Sequence, residues 1–470
     1  MSKIMSKQKN PFLSDSLSKL LFKFSAPAVA GMIAGALYNI VARLLIGNEV
    51  GPLGIAGITV TFPLLILYIA FSAFVGVGGN ALFSICLGKK DFNKAENIIG
   101  NTLVLLIIVS LGVSAFIYIF LDKVLILLGA SLDVLPYAKE YMKIAMFGFS
   151  IWGIGAGMNH FIRSSGHPNI ALITQVVGNV VNIIVGIVFV YYFHWGMKGV
   201  ALAGVIGQIV GAVWIISFFL SKKCIYKIRV KYFILKKEIV FATCAIGISQ
   251  FVFEISSCLL NFIMNKTLVC YGGDIALAAI GIVMSVNSII TFSIFGISQG
   301  TQPLVGYNFG AKHFANAIQT TKMAIRWSSI ILILGFFITE VFAVPVVKLF
   351  NSTNQELINM AARGLRFVNF MLPIISLHIF GSTYFQAINK PMQAMILSLS
   401  RQVLLLIPFV LILPLFLGLD GVFLATTFAD FFACLISAFL LHHYFHKHNQ
   451  TLLVSKKIHN KISFINKIKN

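Results

Sequence analysis

Long apolar segments recur along this chain of 470 residues, and they constrain its fold more than any other feature. Between Leu17 and Phe445, each of these segments is long enough to cross about 30 Å of hydrocarbon as a helix. A helix satisfies its own backbone hydrogen bonds in lipid, and the alternating pattern of a membrane barrel is absent. Hydrophobic residues make up 58% of the chain and charged residues only 11%. The sequence therefore predicts an all-α integral membrane protein.

Polar turns divide the apolar sequence into twelve predicted transmembrane helices. They cover residues 18–47, 52–87, 95–120, 134–162, 168–193, 199–220, 239–271, 275–303, 318–350, 361–388, 393–417 and 421–445. The most basic connection, Ser221 to Glu238, divides them into two sets of six. The first predicted helix is preceded by a polar stretch, carries Pro27 and lacks a small-residue cleavage site, so we expect no removable signal peptide.

The two sets repeat one another at an offset of about 222 residues. The segment LGKKDFNKA, which ends at Ala95, matches FGAKHFANA, which ends at Ala317. Pro168 matches Pro391 at an offset of 223. Six helices return the chain to its starting side, so we expect parallel repeats related by an axis along the membrane normal. We expect a first lobe at 1–225, a second at 226–450, a cleft between them and a basic tail at 451–470. The alternative is that the repeat has no transport role, because duplicated helical bundles can persist only because they pack well.

The net charge of +22 comes from cations grouped on alternate loops and both tails, not on one soluble face. This distribution argues against nucleic acid as a partner. By the positive-inside rule, it predicts that the protein lies in the cytoplasmic membrane with both termini in the cytoplasm. The cations that define this side are Lys3, Lys7, Lys9, Lys89, Lys90, Lys94, Arg163, Lys222, Lys223, Lys227, Arg229, Lys231, Lys236, Lys237, Lys312, Lys390, Lys456 and Lys457.

Glu254 is the clearest functional candidate, because a charge near the bilayer centre costs about 3 kcal/mol even on the lenient insertion scale. Gln250, Glu254, Ser257 and Asn261 follow at helical spacing, so they form one polar stripe that should face the cleft or the bundle core. A carboxyl group withdrawn from water can exchange a proton near neutral pH, or hold Na⁺ or a cationic ligand when ionised. The alternative is a neutral glutamate that locks two helices together by a hydrogen bond.

Asp430 is the other acidic residue inside a predicted span. The sequence is compatible with a role in coupling and with a role in locking helices together. The remaining candidates are neutral side chains that can orient a ligand by hydrogen bonds or join helices to one another. These candidate substrate-binding residues are Tyr38, Asn39, Gln175, Asn179, Asn182, Gln250, Ser257, Asn261, Asn287 and Gln299.

Familiar catalytic and cofactor motifs are absent. The chain has no Walker A pattern, no HExxH and no GxSxG, so neither ATP hydrolysis nor a known hydrolase chemistry is indicated and we expect no enzyme. Six single cysteines without a CxxC are expected to be core residues rather than disulfides or metal ligands. The histidines from His442 to His448 could bind a metal, but a solvated tail at a helix end is the more ordinary explanation.

Several segments resemble the multidrug and toxic compound extrusion (MATE) transporters, and the nearest branch is the bacterial multidrug-export type. They are YNIVARLLIG, GVGGNALFSICLGKKDFNKA, MNHFIRSSGHPNIALITQVVGNVVNII, YGGDIALAAIGI and GISQGTQPLVGYNFGAK. The resemblance implies two six-helix lobes in a V and efflux of organic cations driven by inward H⁺ or Na⁺. It also implies a coupling role for Glu254, because many members carry a cleft-facing glutamate on the seventh helix. Many relatives have Asp where this chain has Ala42 and Gly186, so the resemblance implies no ordinary cation site in the first lobe.

The leading hypothesis is a monomeric antiporter that exports amphipathic organic cations by alternating access, coupled to H⁺ or Na⁺ and without another cofactor. A lipid-linked or metabolite flippase of related two-lobe architecture is the second hypothesis, and a cationic cleft lining would favour it. The third is a membrane enzyme or a scaffold that does not transport. Binding of a fluorescent organic cation that depends on Glu254 would separate the first hypothesis from the others.

Overall fold

A computed structural model describes residues 16–50, 52–222, 224–350 and 354–469. Side chains are described in these ranges except at 36–44, 46–49, 52, 55, 274 and 447–469. Within these residues the regular structure is helical and contains no strand. The predicted all-α membrane class is therefore confirmed for the described part of the chain.

Seven helices lie within the described residues of the first half. They are α1 (Leu17–Glu49), α2 (Pro52–Gly88), α3 (Phe92–Ile119), the short α4 (Leu121–Leu127), α5 (Leu135–Ser164), α6 (Pro168–Ile187, extended by a π-helical turn at Val188–Tyr192) and α7 (Gly196–Leu220). A linker that contains one 3₁₀ turn, Val230–Tyr232, leads to the second half.

The second half begins with one long helical element, Lys237–Gly310, in which Gly273 has the non-helical angles φ 62° and ψ −160°. Gly273 separates α8 (Lys237–Gly273) from α9 (Ile275–Gly310). The helices that follow are α10 (Phe314–Val341), α11 (Ala343–Lys348), α12 (Gln355–Asn369), α13 (Leu372–Ala387), α14 (Pro391–Leu399, continued by a π-helix at Ser400–Leu406), α15 (Ile407–Ile412), α16 (Pro414–Leu417) and α17 (Leu419–Lys469).

Ten helical segments among the described residues are long and apolar enough to cross a membrane. The pair α12 and α13, bent by 51°, adds an eleventh. The remaining long helix is α5, which has 30 residues and carries Lys139, Glu140 and Lys143 in its first turns. These charges lower its apolarity, yet α5 packs against α2 and α7 like a member of the bundle. The arrangement agrees with twelve spans, although the predicted helices at 318–350 and 361–388 are each broken, at Phe342 and near Phe370.

Backbone conformations recur at the offset of the sequence repeat. Lys90 and Lys312 both adopt a left-handed φ, 60° and 61°, where the helix before each of them ends. In each turn the following residue donates its backbone N–H to the carbonyl five residues earlier, which satisfies a carbonyl at the helix end. Gly196 and Gly418 likewise share a positive φ, 49° and 57°. The two halves are therefore structural repeats as well as sequence repeats.

The two halves meet through α1 and α2 of the first half and the α8–α9 hairpin of the second. Glycines allow the backbones to touch: a Cβ at Gly78 would lie 2.1 Å from the Thr243 carbonyl oxygen, and one at Gly88 would lie 2.1 Å from the Tyr307 carbonyl oxygen. Asn80 donates its side-chain amide to Gln302 Oε1 at 3.2 Å. These two residues are separated by the 222-residue repeat offset, so this bond joins equivalent positions of the two halves.

The linker after α7 is held on α3. Asn101 Nδ2 donates to the carbonyl oxygens of Tyr232 and Ile234 at 2.9 and 3.1 Å, and its Oδ1 accepts from the Lys236 backbone at 2.7 Å. Glu96, which is buried, pairs with Arg229 at 3.0 Å. The basic connection predicted from the sequence is thus an ordered strap on the first half.

The predictions for two residue types were partly wrong. Arg163 was expected in a loop, but it lies in α5 and is only 2% exposed. Among the cysteines, all six are free, and Cys270 is exposed rather than in the core. Cys224 lies in the linker, where burial raises the pKa of its thiol to about 11 and makes it a poor nucleophile at neutral pH.

Candidate functional site

The polar stripe on α8 begins where the two halves are in contact. Thr243 and Gly247 lie against α2, and Phe251 packs its ring on Phe71 and Phe74 at centroid distances of 4.9 and 5.5 Å. At 100° per residue, Gln250 and Glu254 continue the face of α8 that carries Thr243 and Gly247. The stripe therefore follows the side of α8 that faces the first half.

Hydrogen bonds connect the N-terminal part of this stripe to α13. Gln386 Nε2 donates to Gln250 Oε1 at 3.4 Å, and Gln250 Nε2 donates to Glu254 Oε1 at 3.1 Å. Gln386 is 6% exposed, whereas Glu254 is only partly buried. The Glu254 carboxylate thus has one amide donor from its own helix and no cationic partner among the described ion pairs.

The C-terminal part of the stripe contacts the π-helical segment after α14. Gln402 Nε2 donates to Ser257 Oγ at 2.7 Å, and Ser257 Oγ in turn donates to the Phe253 carbonyl. Gln402 is 3% exposed, and its Oε1 has no protein partner among the described residues. Asn261 ends the stripe, is exposed, and donates to the Ser257 carbonyl at 2.9 Å. The stripe therefore runs from the contact between the halves to an accessible surface.

Asp430 lies in a different environment. Its Oδ1 accepts a hydrogen bond of 2.6 Å from Arg401 Nε, and Asp430 is 4% exposed. Thr427, on the preceding turn of α17, donates to the Phe367 carbonyl. His378 is also buried, where α13 packs on α17. Its Nδ1 lies 3.1 Å from Ser437 Oγ. A buried carboxylate neutralised by a partly exposed guanidinium is a joint between α17 and the π-helical segment.

Gln299 lies where the two halves meet and is partly buried. Its Oε1 accepts from Arg163 Nη1 at 2.9 Å, and its Nε2 donates to Met32 Sδ at 3.5 Å. Arg163 also donates to Asn159 Oδ1 at 3.4 Å, while its Nε has no protein partner among the described residues. A buried guanidinium whose described bonds go only to amide oxygens therefore sits at the contact between the halves.

The amides of α6 pack against neighbouring helices. Gln175 Oε1 occupies the space that a Cβ at Gly31 of α1 would take, at 2.2 Å. The Asn182 side chain packs on Gly207 of α7, and its Nδ2 lacks a partner among the described residues. Asn179 is partly buried, as is Asn287, whose Oδ1 also has no described partner. The side chains of Tyr38, Asn39 and Ala42 lie outside the described residues.

Sequence reasoning identified the stripe on α8 but missed the groups that meet it from other helices. Arg401 carried an available signal, because a lone arginine inside an apolar span has the same insertion cost as the acids that were noticed. Gln402 lies one residue after it and is the repeat partner of Asn179 at an offset of 223. Gln386 offered no comparable signal, since a neutral amide near a helix end is unremarkable in a sequence.

The described residues contain no group of three or more His, Cys, Asp or Glu side chains that could hold a metal ion. His448, the last histidine of the His442 to His448 segment, lies outside the residues whose side chains are described. The polar groups of the site are instead single carboxylates and amides, which suit protons, Na⁺ or an organic cation rather than a transition metal.

Comparison with known proteins gives a consistent match. The MatE family model matches residues 27–188 and 246–412, one block in each half of the chain. The multidrug export protein MepA of Staphylococcus haemolyticus is 25% identical over 431 residues, which cover 92% of this chain and 94% of the relative. MepA of Staphylococcus aureus strain MSSA476 is 24% identical over 432 residues, with the same shares of the two chains covered.

Solved structures match in fold. A multidrug resistance MATE family transporter in an outward-facing conformation superposes with a TM-score of 0.87 at 22% identity, covering 93% of this chain and 98% of that chain. A MOP superfamily transporter from Pyrococcus furiosus gives the same TM-score, identity and coverage. At this identity the likeness establishes the two-lobe helical fold.

Proposed function

This chain belongs to the MatE family, and from that premise we propose that it is a cation-coupled multidrug efflux antiporter. It uses the inward movement of H⁺ or Na⁺ to export amphipathic organic cations. The names of the MepA relatives as multidrug export proteins support the class of cargo. The polar stripe on α8 supports the mechanism, and it is the observation on which the proposal mainly depends.

Glu254 is the coupling group in this proposal. It has a single described hydrogen-bond donor, Gln250, so its carboxylate keeps acceptor capacity for a proton, Na⁺ or an organic cation. A carboxylate cannot hold the coupling ion and a cationic cargo at once without unfavourable crowding of charge. Exchange of one for the other at Glu254 links uptake of the ion to release of the cargo.

Ser257, Gln402 and Asn261 extend the binding surface from Glu254 towards the exposed end of the stripe. The Gln402 Oε1 atom, buried without a described partner, is an acceptor that a cargo donor can satisfy. Amides orient an amphipathic cargo without fixing its chemistry, which suits a broad substrate range. The first-lobe amides Gln175, Asn179 and Asn182 face this surface in the alternate arrangement of the lobes under this proposal.

Asp430 has a supporting role. Because Arg401 already neutralises it at 2.6 Å, we assign to this pair the task of fixing α17 against the π-helical segment that carries Gln402. Ion exchange is then carried by Glu254 rather than shared equally by the two acids. Separation of the two roles is testable, because each acid has an isosteric amide variant.

Alternating access follows from the repeat. The described bonds Asn80–Gln302 and Arg163–Gln299 join the lobes at the end that carries the loops after α2 and α9. The stripe leads away from that end to the exposed Asn261, so this arrangement corresponds to a cleft open on the opposite side. Rocking of a first lobe, 1–225, against a second, 226–450, exchanges the open side.

The proposed topology places both termini and the basic tail, 451–470, in the bacterial cytoplasm. The basic linker and loops all lie on one side of the membrane under the positive-inside rule. Reporter fusions at the C-terminus test it, with a cytoplasmic reporter active and a periplasmic one inactive. We propose that the transporter works as a monomer in the cytoplasmic membrane and not as an enzyme.

Transport into everted vesicles tests the function. A fluorescent organic cation should accumulate when a pH or Na⁺ gradient is imposed alone, and the gradient that drives it identifies the coupling ion. Accumulation that is independent of both gradients would refute coupled transport.

A flippase for anionic lipid-linked or metabolite cargo is the second candidate. It is favoured by Arg163, a buried guanidinium at the contact between the lobes whose described partners are only amide oxygens. Competition for the same site by organic cations and by anionic cargo separates the two. Inhibition by anions alone, with no effect of cations, would support the flippase.

A further inference from the structure

A cavity outside the cleft lies between α10 and α17, near the end of the bundle that carries the basic loops. Its volume is about 620 Å³. Its floor is apolar, and its rim carries basic and titratable side chains. We call it the basic groove; its lining residues are Lys322, Ile325, Arg326, Leu377, Ala438, Leu441, His442, Phe445 and His446.

The polar residues of the basic groove form two facing pairs at helical spacing. Lys322 and Arg326 lie one turn apart on α10, and His442 and His446 lie one turn apart on α17 with stacked rings 6.2 Å apart. Lys322 Nζ is 5.7 Å from the centre of the Phe445 ring, which connects the two sides. No acidic residue is among those that line the groove.

The sequence around the groove also lacks compensating charge. Glu340 is the single acid of α10, and it lies at the opposite end of that helix. After Asp430 the chain has no Asp or Glu as far as Asn470. The groove therefore combines a positive rim with an apolar floor, which complements an anion that carries a hydrocarbon chain.

The surface of α10 continues from the groove into the membrane. Ile330, Leu334 and Phe337 follow Arg326 on the same helical face, and they are 58%, 59% and 57% exposed. The 28 residues of α10 would extend about 42 Å, roughly 12 Å more than the hydrocarbon thickness. Lys322 and Arg326 can therefore reach the headgroup level while the apolar face below them lies along acyl chains.

We propose that the basic groove is a binding site for an anionic phospholipid. The phosphate lies among Lys322, Arg326 and the His442–His446 pair, and an acyl chain covers Leu441 and the exposed face of α10. Basic pockets between membrane helices on the cytoplasmic side recognise such headgroups by charge, and burial of the chain adds the hydrophobic term.

The chain's own tail is a poor occupant. Residues 447–470 carry six lysines and no acid, so their charge has the same sign as the rim of the groove. A free inorganic anion would satisfy the rim but would leave Leu377, Ala438 and Leu441 uncovered. The exposed apolar face of α10 therefore favours a lipid over a free phosphate as the source of the anion.

Native mass spectrometry of the purified full chain in dodecyl maltoside tests the site, with dioleoyl phosphatidylglycerol and dioleoyl phosphatidylcholine as probes. The wild type should retain phosphatidylglycerol preferentially. The double variant Lys322→Gln/Arg326→Gln should bind it about 25-fold more weakly, because each cation near an anionic lipid contributes about fivefold. The matched control is Lys222→Gln/Lys237→Gln, which removes one exposed cation from the linker and one from the start of α8 and should leave retention unchanged.

The variant His442→Gln/His446→Gln tests the opposite wall independently and should also weaken retention. Equal melting temperatures in phosphatidylcholine verify that each variant is folded. Unchanged phosphatidylglycerol retention in both groove variants would overturn the proposal, as would an equal loss in the linker control. Stabilisation of the wild type by inorganic phosphate to the same extent as by the lipid would overturn the assignment to a lipid.

Discussion

Gly247→Ala should separate the two lobes where they now touch. A Cβ at Gly247 would lie 1.6 Å from the Phe74 carbonyl oxygen, whereas ordinary contact begins at 3.4 Å. The two backbones would have to move apart by about 1.8 Å, because a carbonyl in a helix cannot rotate away as a side-chain end can. Overpacking of this kind costs about 1–3 kcal/mol.

That cost falls on the arrangement in which α2 and α8 are in contact, so it shifts the equilibrium towards the alternative arrangement. A free energy of about 1–3 kcal/mol corresponds to a population change of roughly 5- to 150-fold. Efflux should fall, since the cycle needs both arrangements. The melting temperature should change less than transport, because the strain is relieved when the lobes separate.

Spin labels at Asn93 and Ala315, which are exposed and equivalent in the two halves, measure the separation in a cysteine-free background. The distance distribution of Gly247→Ala should be longer and broader than that of the parent. Gly281→Ala is the matched control, because no atom lies within 4 Å of its added Cβ. An unchanged distance distribution in Gly247→Ala, together with normal efflux, would refute the closed contact between α2 and α8.

Substitutions at three further sites test other parts of the structure. Arg401→Gln leaves the buried Asp430 carboxylate unpaired and should lower stability by about 3–5 kcal/mol in thermal melts, whereas Asp430→Asn should lower it less because Arg401 is partly exposed. The pair Arg401→Met/Asp430→Leu should recover most of the loss; single variants that melt like the wild type would contradict a joint between these helices. Asn101→Ala should weaken linker docking by about 2–4 kcal/mol and speed tryptic cleavage there, unlike Asn97→Ala, whose described side-chain bond stays within α3; equal cleavage rates would argue against the strap. Arg163→Met should destabilise the contact with Gln299 and shift the spin-label distance in the same direction as Gly247→Ala; a shift towards shorter distances would contradict this role.

The sequence was a good guide to the elements whose cause is local. Hydrophobic length determines a membrane helix, so the spans and the repeat were predictable, including the turns at Lys90 and Lys312. Breaks inside spans carried a signal that the span prediction did not use: Pro345 and Pro373 lie four residues after Val341 and Asn369, where α10 and α12 end. A proline has no N–H to donate to the carbonyl four residues earlier, so it stops the helix there. Arg163 was placed in a loop by its position near a basic turn, yet tertiary contact with Gln299 buries it.

The site was predictable only on the helix where its residues share one face. The spacing of Gln250, Glu254 and Ser257 reveals the stripe on α8, since helical periodicity is visible in a single sequence. The partners Gln386 and Gln402 come from helices more than 130 residues later. Which distant helix meets the stripe depends on how the bundle closes, and that information is not contained in local periodicity.

Transport by Glu254→Gln tests the central claim most directly. The amide retains the shape and the hydrogen bonding of the side chain but cannot titrate or carry charge. Everted vesicles with this variant should accumulate a fluorescent organic cation no faster than empty vesicles under an imposed pH or Na⁺ gradient, while its melting temperature stays near that of the wild type. Glu340→Gln, at the far end of α10, should transport normally as the matched control. Wild-type gradient-driven accumulation by Glu254→Gln would contradict the account and leave Glu254 as a structural residue.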